Sequence, residues 1–342
     1  MDRRELLTLW GGALLLPVQA LRAEHRVVSV NPLEVVSELG ALEGRYTKVE
    51  DFYVRNHHET PQEWVEPSLR LEGEVAKPQR LTPGDLGHLR KVQLGGVLEC
   101  ASNPVGSSGL VSNGMWEGWS LGEVLGLAEP STDASFLHLF GRDGYARSVP
   151  IKRAQGAAML ATKLDGRPLQ PNHGAPWRVF FPGWYGMDSV KWLERIYVSR
   201  TPLPGNENDY VELRSALPEG LDRRPLPRIQ VKSVIISPRD RSVVHRGSVE
   251  VRGLAWSGEG KISKVEISMD GGTDWRGATL SPGPRFEWES WRASVNLSQS
   301  GVVELVCRAT DAQGHVQPEQ RDPGRLDAYV ENWYHRIRLV MV

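Results

Sequence analysis

Cys100 is the residue of this sequence with the widest choice of chemistry. It follows the apolar pair Val97-Leu98, which comes after two glycines, and it precedes the turn signal Asn103-Pro104. This pattern predicts a short buried strand that ends at the cysteine, a position where functional side chains often gather. The thiol could be a nucleophile, half of a disulfide, a metal ligand or an inert buried side chain, and this stretch alone leaves all four open.

Two further segments carry polar side chains that could bind an anion. In the first, Arg55 and His57 stand between the apolar residues 52–54 and Pro61. The second surrounds the apolar run 179–181, a predicted buried strand, and its polar residues are His173, Arg178, Ser189 and Lys191. Arginine and lysine are rarely buried without an anionic partner, so an anion site is one interpretation. Solvated loops whose charges face water are the other.

The elements that must hold these residues are short strands and turns. Residues 136–140 and 145–150 read as two strands joined by the turn Asp143-Gly144. Ser120 and Glu123 have the spacing of a capping box at the start of a short helix. Residues 151–164 have helical spacing, so we expect a second helix there. The proline-rich residues 215–227 predict a linker or strap.

The C-terminal third of the chain predicts an all-β unit. Candidate strands lie at residues 232–237, 248–256, 262–270, 291–297 and 302–310, separated by turn signals such as Asp270-Gly271-Gly272. This spacing favours a β-sandwich of the immunoglobulin type, most simply a structural module without chemistry. Cys307 shares one face of the last strand with Val303 and Leu305, which predicts a core residue.

Length and composition indicate a globular protein of two domains. The chain has 342 residues, of which 40% are hydrophobic and 24% charged. We expect one domain at residues 24–226 and another at 227–342. The 41 basic and 42 acidic residues nearly cancel, so no overall field would recruit nucleic acid or an anionic membrane. Cys100 and Cys307 could pair in an oxidising compartment, but the domain boundary between them makes a bridge geometrically demanding.

The N-terminus predicts an export signal at residues 1–23. Arg3-Arg4 precedes the apolar run Leu14-Leu15-Leu16, and the segment is too short and too interrupted to span a membrane. The arginine pair resembles a twin-arginine signal, which serves proteins that fold around a cofactor before export to the periplasm. An amphipathic first helix is the alternative.

Together these motifs resemble the sulfite oxidase family of molybdopterin enzymes. The matching segments are residues 52–57, 98–103, 144–150, 173–178 and 190–193, in the order in which the family has them. The resemblance implies an α+β molybdopterin-binding domain with mixed sheets, followed by an immunoglobulin-like dimerisation domain. It also implies one molybdenum-molybdopterin cofactor in each chain, and a homodimer.

The resemblance also implies roles for individual residues. Cys100 matches the thiolate that ligates molybdenum, which suits a soft, redox-active metal. Arg55 matches the arginine that faces the sulfite anion, and Tyr210 matches the tyrosine beside the oxygen being transferred. The residues that match the family's cofactor-binding positions are Asn56, His57, His173, Arg178, Ser189, Lys191 and, less closely, Asp143.

One departure from the family bears on the substrate. Vertebrate members have two arginines after the cysteine motif, where this chain has Pro104 and Val105. We therefore expect a less cationic substrate pocket, in which Arg55 is the principal fixed charge. Arg142 and Arg147 are the nearest candidates for any further pocket cation.

The expected function is oxidation of sulfite, a small oxyanion, to sulfate outside the cytoplasm. The sequence has no Cys-x-x-Cys-His site for haem, so an external electron acceptor, such as a c-type cytochrome, is expected. Two alternatives remain open. One is a molybdenum reductase of a sulfoxide or another oxo-compound, and the other is a metal-free immunoglobulin-type binding protein in which Cys100 is inert.

Overall fold

Short strands joined by glycine and proline turns dominate the fold. The computed structural model describes residues 25–62, 64–106, 108–205, 210–216, 220–298 and 300–342. The predicted export signal, residues 1–23, lies outside the described residues. None of the helices in the described parts of the chain has the length and apolar character needed to cross a membrane.

The N-terminal part of the chain contains three sheets. Its strands are β1 (His25–Val30), β2 (Leu33–Glu38), β3 (Val54–Arg55), β4 (Leu69–Gly73), β5 (Gln79–Leu81), β6 (Lys91–Glu99), β7 (Ser108–Gly109), β8 (Val111–Ser120), β9 (Phe136–Gly141), β10 (Ala146–Pro150), β11 (Met159–Leu164), β12 (Arg167–Pro168), β13 (Arg178–Phe180) and β14 (Leu193–Ser199). The strand orders are β1-β2-β3 with β7 on β2, β10-β9-β14-β4-β5, and β12-β11-β8-β6 with β13 on β11. One sheet is mixed, as expected, because β14 is parallel to β4 and antiparallel to β9.

Helices are few and short. The α-helix α1 (Leu121–Gly126) begins at Ser120, whose side chain accepts a hydrogen bond from the Glu123 amide, which confirms the predicted cap. Single 3-10 turns lie at Leu39–Ala41, Val49–Asp51, Ile151–Ala154, Pro171–His173 and Gly186–Asp188. The α+β class expected for this domain is therefore not confirmed. Among the described residues the only α-helix has six residues, and the domain is mostly β-sheet.

The helix predicted for residues 151–164 is wrong. A 3-10 turn at Ile151–Ala154 is followed by Gly156, with φ +82°, and then by strand β11. β11 pairs with β8, β12 and β13, and most of its side chains are buried. A strand covered on both faces forms an apolar run without alternation, which periodicity cannot distinguish from a buried helix.

The predicted hairpin and the strand before Cys100 are confirmed. β9 and β10 pair in register from Ala146 opposite Phe140 to Pro150 opposite Phe136. β6 pairs along its whole length with β8 and ends at Glu99, so Cys100 is the first residue after the strand. Gly96 in β6 allows the side chain of Phe180 to pack against the backbone, because a Cβ at this position would lie 2.9 Å from its ring.

The crossing between the two parts of the chain, where the sequence predicts a linker or strap at residues 215–227, is a β-ribbon. Strands β15 (Val211–Ala216) and β16 (Gly220–Pro225) pair antiparallel. The side chains of β16 are largely exposed, so the ribbon lacks the alternating burial that would have identified a strand from sequence.

The C-terminal part is built from two sheets. Its strands are β17 (Lys232–Ser237), β18 (Val243–Val244), β19 (Gly247–Trp256), β20 (Ile262–Ser268), β21 (Arg276–Gly277), β22 (Thr279–Ser281), β23 (Glu289–Leu297), β24 (Gly301–Asp311) and β25 (His335–Met341). The sheets have the orders β17-β19-β23-β22 and β18-β25-β24-β20-β21, and side chains from both form one apolar cluster. All five strands expected here are present, with ends that differ by no more than two residues.

Both cysteines are free, so the alternative of a Cys100–Cys307 disulfide is not supported. Cys307 lies on β24 in the core of the C-terminal sheets, as predicted, and burial raises the pKa of its thiol to about 12. A separate apolar cluster joins the two parts of the chain. It contains Val97 and Ala101, on either side of Cys100 in the sequence, together with Val234 and Trp256 of the C-terminal sheets.

Candidate active site

Nine of the ten predicted site residues line one cavity. They are Arg55, Asn56, His57, Cys100, Asp143, Arg178, Ser189, Lys191 and Tyr210. These residues come from the ends of β3 and β6, the β9–β10 turn, the segment from β13 to β14 and the residue before β15. The folding of strands far apart in the sequence thus brings the predicted polar residues together around Cys100.

Cys100 reaches the cavity from a rigid backbone. Its amide donates a hydrogen bond to Leu110 O at 2.9 Å, and its carbonyl accepts one from the Asn103 amide at 3.0 Å. Its Sγ lies 3.3 Å from Ser102 Oγ. The residue is 8% exposed, so the thiol is open to the cavity but largely shielded from bulk water.

Arg178 and Lys191 form a pair of buried cations. Arg178 donates to the carbonyl oxygens of Ser189 at 2.7 Å and His173 at 3.3 Å. Lys191 donates to Asn56 Oδ1 and, at 2.8 Å, to Asn172 O. Burial lowers the pKa of Arg178 to about 10, and burial together with the Arg178 charge lowers the pKa of Lys191 well below its ordinary value.

This pair fits the anionic cofactor that the sequence led us to expect. The acceptors of both cations are carbonyl and amide oxygens without formal charge, so neither cation is neutralised by them. Within the described residues, the buried Nε of Arg178 has no hydrogen-bond partner. An unpaired buried donor is costly, and a phosphate or a pterin carbonyl would satisfy it. The thiol of Cys100 in the same cavity supplies a ligand suited to molybdenum.

His173 is the one predicted site residue that does not line the cavity. Its ring packs edge-on against Phe52, with 5.6 Å between the centroids, and the residue is 3% exposed. Burial, with the nearby charges of Lys191 and Arg178, lowers the pKa of its imidazole to about 3, so the ring is neutral at physiological pH. His173 contacts Arg178 through its carbonyl oxygen, and its side chain belongs to the wall behind the cavity.

Asn56, Ser189 and Asp143 line the cavity together with Arg178 and Lys191. Asn56 donates to Thr60 Oγ1 at 3.1 Å while its carbonyl oxygen accepts from Lys191. Ser189 Oγ accepts from the Phe181 amide at 3.2 Å, which fixes the segment that carries it. Asp143 accepts from the amide of Tyr145 at 3.1 Å, and burial raises the pKa of its carboxyl group.

Tyr210 and His57 form a hydrogen-bonded pair at the open side of the cavity. The hydroxyl of Tyr210 is bonded to Nε2 of His57, whose ring stacks on Tyr145 with 4.6 Å between centroids. Burial, with the charge of Cys100 adding to it, raises the pKa of Tyr210 above its ordinary value. The hydroxyl is therefore protonated at physiological pH and can donate a hydrogen bond.

Arg55 lines the cavity but also pairs with a carboxylate that the sequence analysis did not identify. Arg55 and Glu34 face each other across β3 and β2, and their side chains form an ion pair. The side chain of Arg55 is 42% exposed and that of Glu34 is 18% exposed. The positive field that Arg55 offers an incoming anion is thus partly compensated.

Three residues that the sequence analysis named in connection with the pocket do not line the cavity. Val105 does not line the cavity, because its amide donates to Glu331 Oε2 at 3.2 Å and it faces a different surface depression. Arg142 points away and donates to the carbonyl oxygen of Gln62. Arg147 is bonded to the buried Asp188 and lies against the Tyr210 ring, 5.4 Å from its centroid, rather than in the cavity wall.

Sequence reasoning missed several residues of the cavity. Tyr53 and Tyr145 both line it, and each is adjacent to a motif that drew attention only to its polar residues. Gly186 also lines the cavity, and a Cβ there would lie 2.9 Å from the Tyr53 hydroxyl. Aromatic residues next to candidate polar groups are the signal that could have identified these tyrosines.

Two family models match the two parts of the chain. The oxidoreductase molybdopterin binding domain matches residues 57–207, and the Mo-co oxidoreductase dimerisation domain matches residues 223–341. The fold and the cavity are thus those of a molybdopterin oxidoreductase. Chicken sulfite oxidase is 32% identical over 91% of this chain and 77% of its own length. Sulfite oxidase of Arabidopsis thaliana is 29% identical over 92% of this chain and 94% of its own length.

A solved structure also matches over most of the chain. The sulfane dehydrogenase SoxCD from Paracoccus pantotrophus superposes with a TM-score of 0.84 and 27% identity, over 91% of this chain and 86% of its own. The chain spans about three fifths of the length of mammalian sulfite oxidases that it also matches. The chain belongs to the sulfite oxidase family of molybdopterin oxidoreductases. A metal-free binding protein is therefore no longer a competing interpretation.

Proposed function

We propose that this protein oxidises sulfite to sulfate at a molybdenum-molybdopterin cofactor held in the cavity around Cys100. The observation that carries the proposal is the convergence on one cavity of a shielded thiol, two buried cations and a tyrosine with an arginine at the open side. In this reaction sulfite gains one oxygen atom from water and gives up two electrons, and the water releases two protons. When bound, the cofactor supplies the two-electron redox chemistry and the oxygen transfer.

The buried side of the cavity holds the cofactor in this proposal. Cys100 provides the protein's thiolate ligand to molybdenum, and its position just after β6 places it in the cavity lining. Arg178 and Lys191 bind the anionic part of the cofactor and regain the counter-charge that their burial requires. Asn56 and Ser189 keep these cations and their backbone in place.

The open side of the cavity binds the substrate. Arg55 offers a permanent charge and paired donors to the oxyanion. The Tyr210 hydroxyl donates its one hydrogen to the oxygen being transferred, and Nε2 of His57 then donates to the hydroxyl oxygen, which orients it. Arg147, which donates to Asp188, lies against the face of the Tyr210 ring.

A second candidate substrate is sulfane sulfur, which the structural similarity to a sulfane dehydrogenase favours. A third reaction, reduction of a sulfoxide or another oxo-compound, would suit a pocket whose arginine is partly neutralised by Glu34. Steady-state assays distinguish these possibilities. We expect the purified holoenzyme to reduce an artificial acceptor fastest with sulfite. Faster turnover with a sulfane-sulfur compound, or with a sulfoxide and a reductant, would contradict the proposal.

We also propose that the enzyme is exported and passes its electrons to a c-type cytochrome. The proposal rests on Arg3-Arg4 and on the absence of a Cys-x-x-Cys-His motif from the sequence. Replacing both arginines with lysine should retain active enzyme in the cytoplasm. An unchanged distribution between cytoplasmic and exported fractions would refute twin-arginine export.

We propose that the C-terminal sheets form an immunoglobulin-like sandwich that mediates homodimerisation. The match of residues 223–341 to the dimerisation domain supports this assignment. Sedimentation equilibrium should give twice the chain mass of 38.1 kDa. A monomer at micromolar concentration would contradict it.

A further inference from the structure

A buried lysine of the C-terminal sheets contacts the loop that carries Cys100. Lys232 is the first residue of β17 and is 1% exposed. Its Nζ donates to the carbonyl oxygens of Asn103 at 3.0 Å and Pro104 at 3.4 Å, and it lies 3.5 Å from Glu99 Oε1. One ammonium group therefore binds both ends of the turn that contains Cys100.

Glu99, the residue immediately before Cys100, is bound from both sides. Its Oε2 accepts from Trp256 Nε1 at 2.8 Å, and its Oε1 accepts from Asn103 Nδ2 at 2.8 Å. Asn103 in turn accepts from the Leu110 amide at 2.7 Å. Two of these partners, Trp256 and Lys232, belong to the C-terminal sheets, so the side chain of Glu99 crosses the boundary between the two parts of the chain.

Backbone contacts from the C-terminal part continue along the same loop. The Val330 amide donates to Ala101 O at 2.8 Å, and Glu331 accepts from the Val105 amide at 3.2 Å. The carbonyls of Asn103 and Pro104 have Lys232 as a partner. The support of the loop between residues 100 and 105 is thus shared by both domains.

We propose that Lys232 is a positioning residue that fixes the Cys100 loop, and hence the direction of the thiol, from the dimerisation domain. The inference deepens the proposed function, since it takes Cys100 as the metal's ligand. Burying an ion pair is costly, and an apolar pair of similar volume would hold the domains together at least as well. An ammonium does what an apolar side chain cannot, because its three donors bind two loop carbonyls and a carboxylate at once.

The reactivity of Cys100 in the cofactor-free chain tests the positioning alone. The chain has two cysteines, and Cys307 is completely buried in the C-terminal core, so its alkylation reports unfolding. We would measure iodoacetamide labelling of each cysteine by peptide mass spectrometry. In Lys232→Met, Cys100 should label at least tenfold faster than in the wild type, with Cys307 unchanged. Equal rates at Cys100 in the two proteins would overturn the proposal.

Two control variants accompany Lys232→Met. One also removes a lysine, and the other also weakens the C-terminal core. Lys163→Met removes a lysine whose partner, Glu117, lies on the same sheet as β6 but away from the loop. Val295→Ala weakens the C-terminal core without touching the loop. Both should leave Cys100 labelling at the wild-type rate below their unfolding temperatures. A tenfold increase in either would attribute the effect to general loosening and overturn the proposal.

The double variant Glu99→Gln/Lys232→Met distinguishes the loss of the donor to the loop carbonyls from the effect of leaving the Glu99 charge unpaired. It also replaces Lys232→Met in the labelling experiment if that single variant fails to fold. Removing both charges should restore the thermal midpoint that the single variant loses. The loop carbonyls still lack their donor, so Cys100 should still label at least tenfold faster than in the wild type. Recovery of the wild-type labelling rate together with the midpoint would overturn the proposal.

The loaded enzyme supplies a spectroscopic readout. If the thiol is redirected, Lys232→Met should shift the visible sulfur-to-molybdenum absorption band and the Mo(V) resonance, and Lys232→Arg should largely restore both. Spectra identical to the wild type in Lys232→Met would contradict the positioning role. A wild-type protein without molybdenum would refute the proposed function instead, while the alkylation result would stand by itself.

Discussion

Substitutions of Arg55 and Glu34 should change the binding of sulfite in opposite directions. Losing a charge-assisted contact to an oxyanion costs about 1.5 to 3 kcal/mol. Because the Arg55 side chain is 42% exposed, solvent screening places the cost near the lower limit. Arg55→Gln should therefore lower kcat/KM for sulfite by roughly tenfold, mainly through KM. Glu34→Gln removes the competing carboxylate of a partly exposed pair, worth up to about 1 kcal/mol, and should lower KM by as much as about fivefold.

The assay is steady-state oxidation of sulfite with an artificial acceptor at several ionic strengths. The KM of Arg55→Gln should depend less on salt than that of the wild type, because the screened attraction is gone. Arg142→Gln is the matched control, since Arg142 points away from the cavity, and its kinetics should equal the wild type. Wild-type kinetics in Arg55→Gln, or a higher KM in Glu34→Gln, would refute the assignment of Arg55 to the substrate.

Two more predictions concern Tyr210 and Lys191. Tyr210→Phe should lower kcat more than it raises KM, because we propose that the hydroxyl contacts the transferring oxygen. Steady-state kinetics that show a change in KM alone would contradict this role. The pKa of Lys191 is lowered, so between that pKa and 10.5 the unfolded chain binds a proton that the folded chain does not. The stability of the cofactor-free chain should therefore rise with pH through this window. In thermal melts, Lys191→Met should have a higher midpoint than the wild type, and that midpoint should not rise with pH through the same window.

The pattern of apolar, polar and turn residues within a segment was sufficient to predict strands and turns that depend only on residues close in sequence. The apolar run before Cys100 identified β6 and its end, and the Asp143-Gly144 turn identified the β9–β10 hairpin. It was insufficient for β11, whose two covered faces remove the alternation that marks a strand. The exposed strand β16 was missed for the opposite reason, since neither face is buried.

The polar contacts of the site could not be read from sequence because their partners are distant. Glu99 and Lys232 are 133 residues apart, and His57 and Tyr210 are 153 residues apart. The family resemblance selected the residues that converge on the cavity, but not their pairing. It gave no indication that Glu34 compensates Arg55, or that the amide of Val105 bonds to Glu331 in the C-terminal part of the chain.

The most direct test of the central claim is X-ray absorption at the molybdenum edge of the wild type and of Cys100→Ser. If the Cys100 thiolate is the protein's ligand, the variant should show one sulfur neighbour fewer around molybdenum. Its sulfite turnover should also be lost, because a hydroxyl is a poor donor to a soft metal. The same number of sulfur neighbours in both proteins, with turnover retained, would contradict the assignment of this cavity as the molybdenum site.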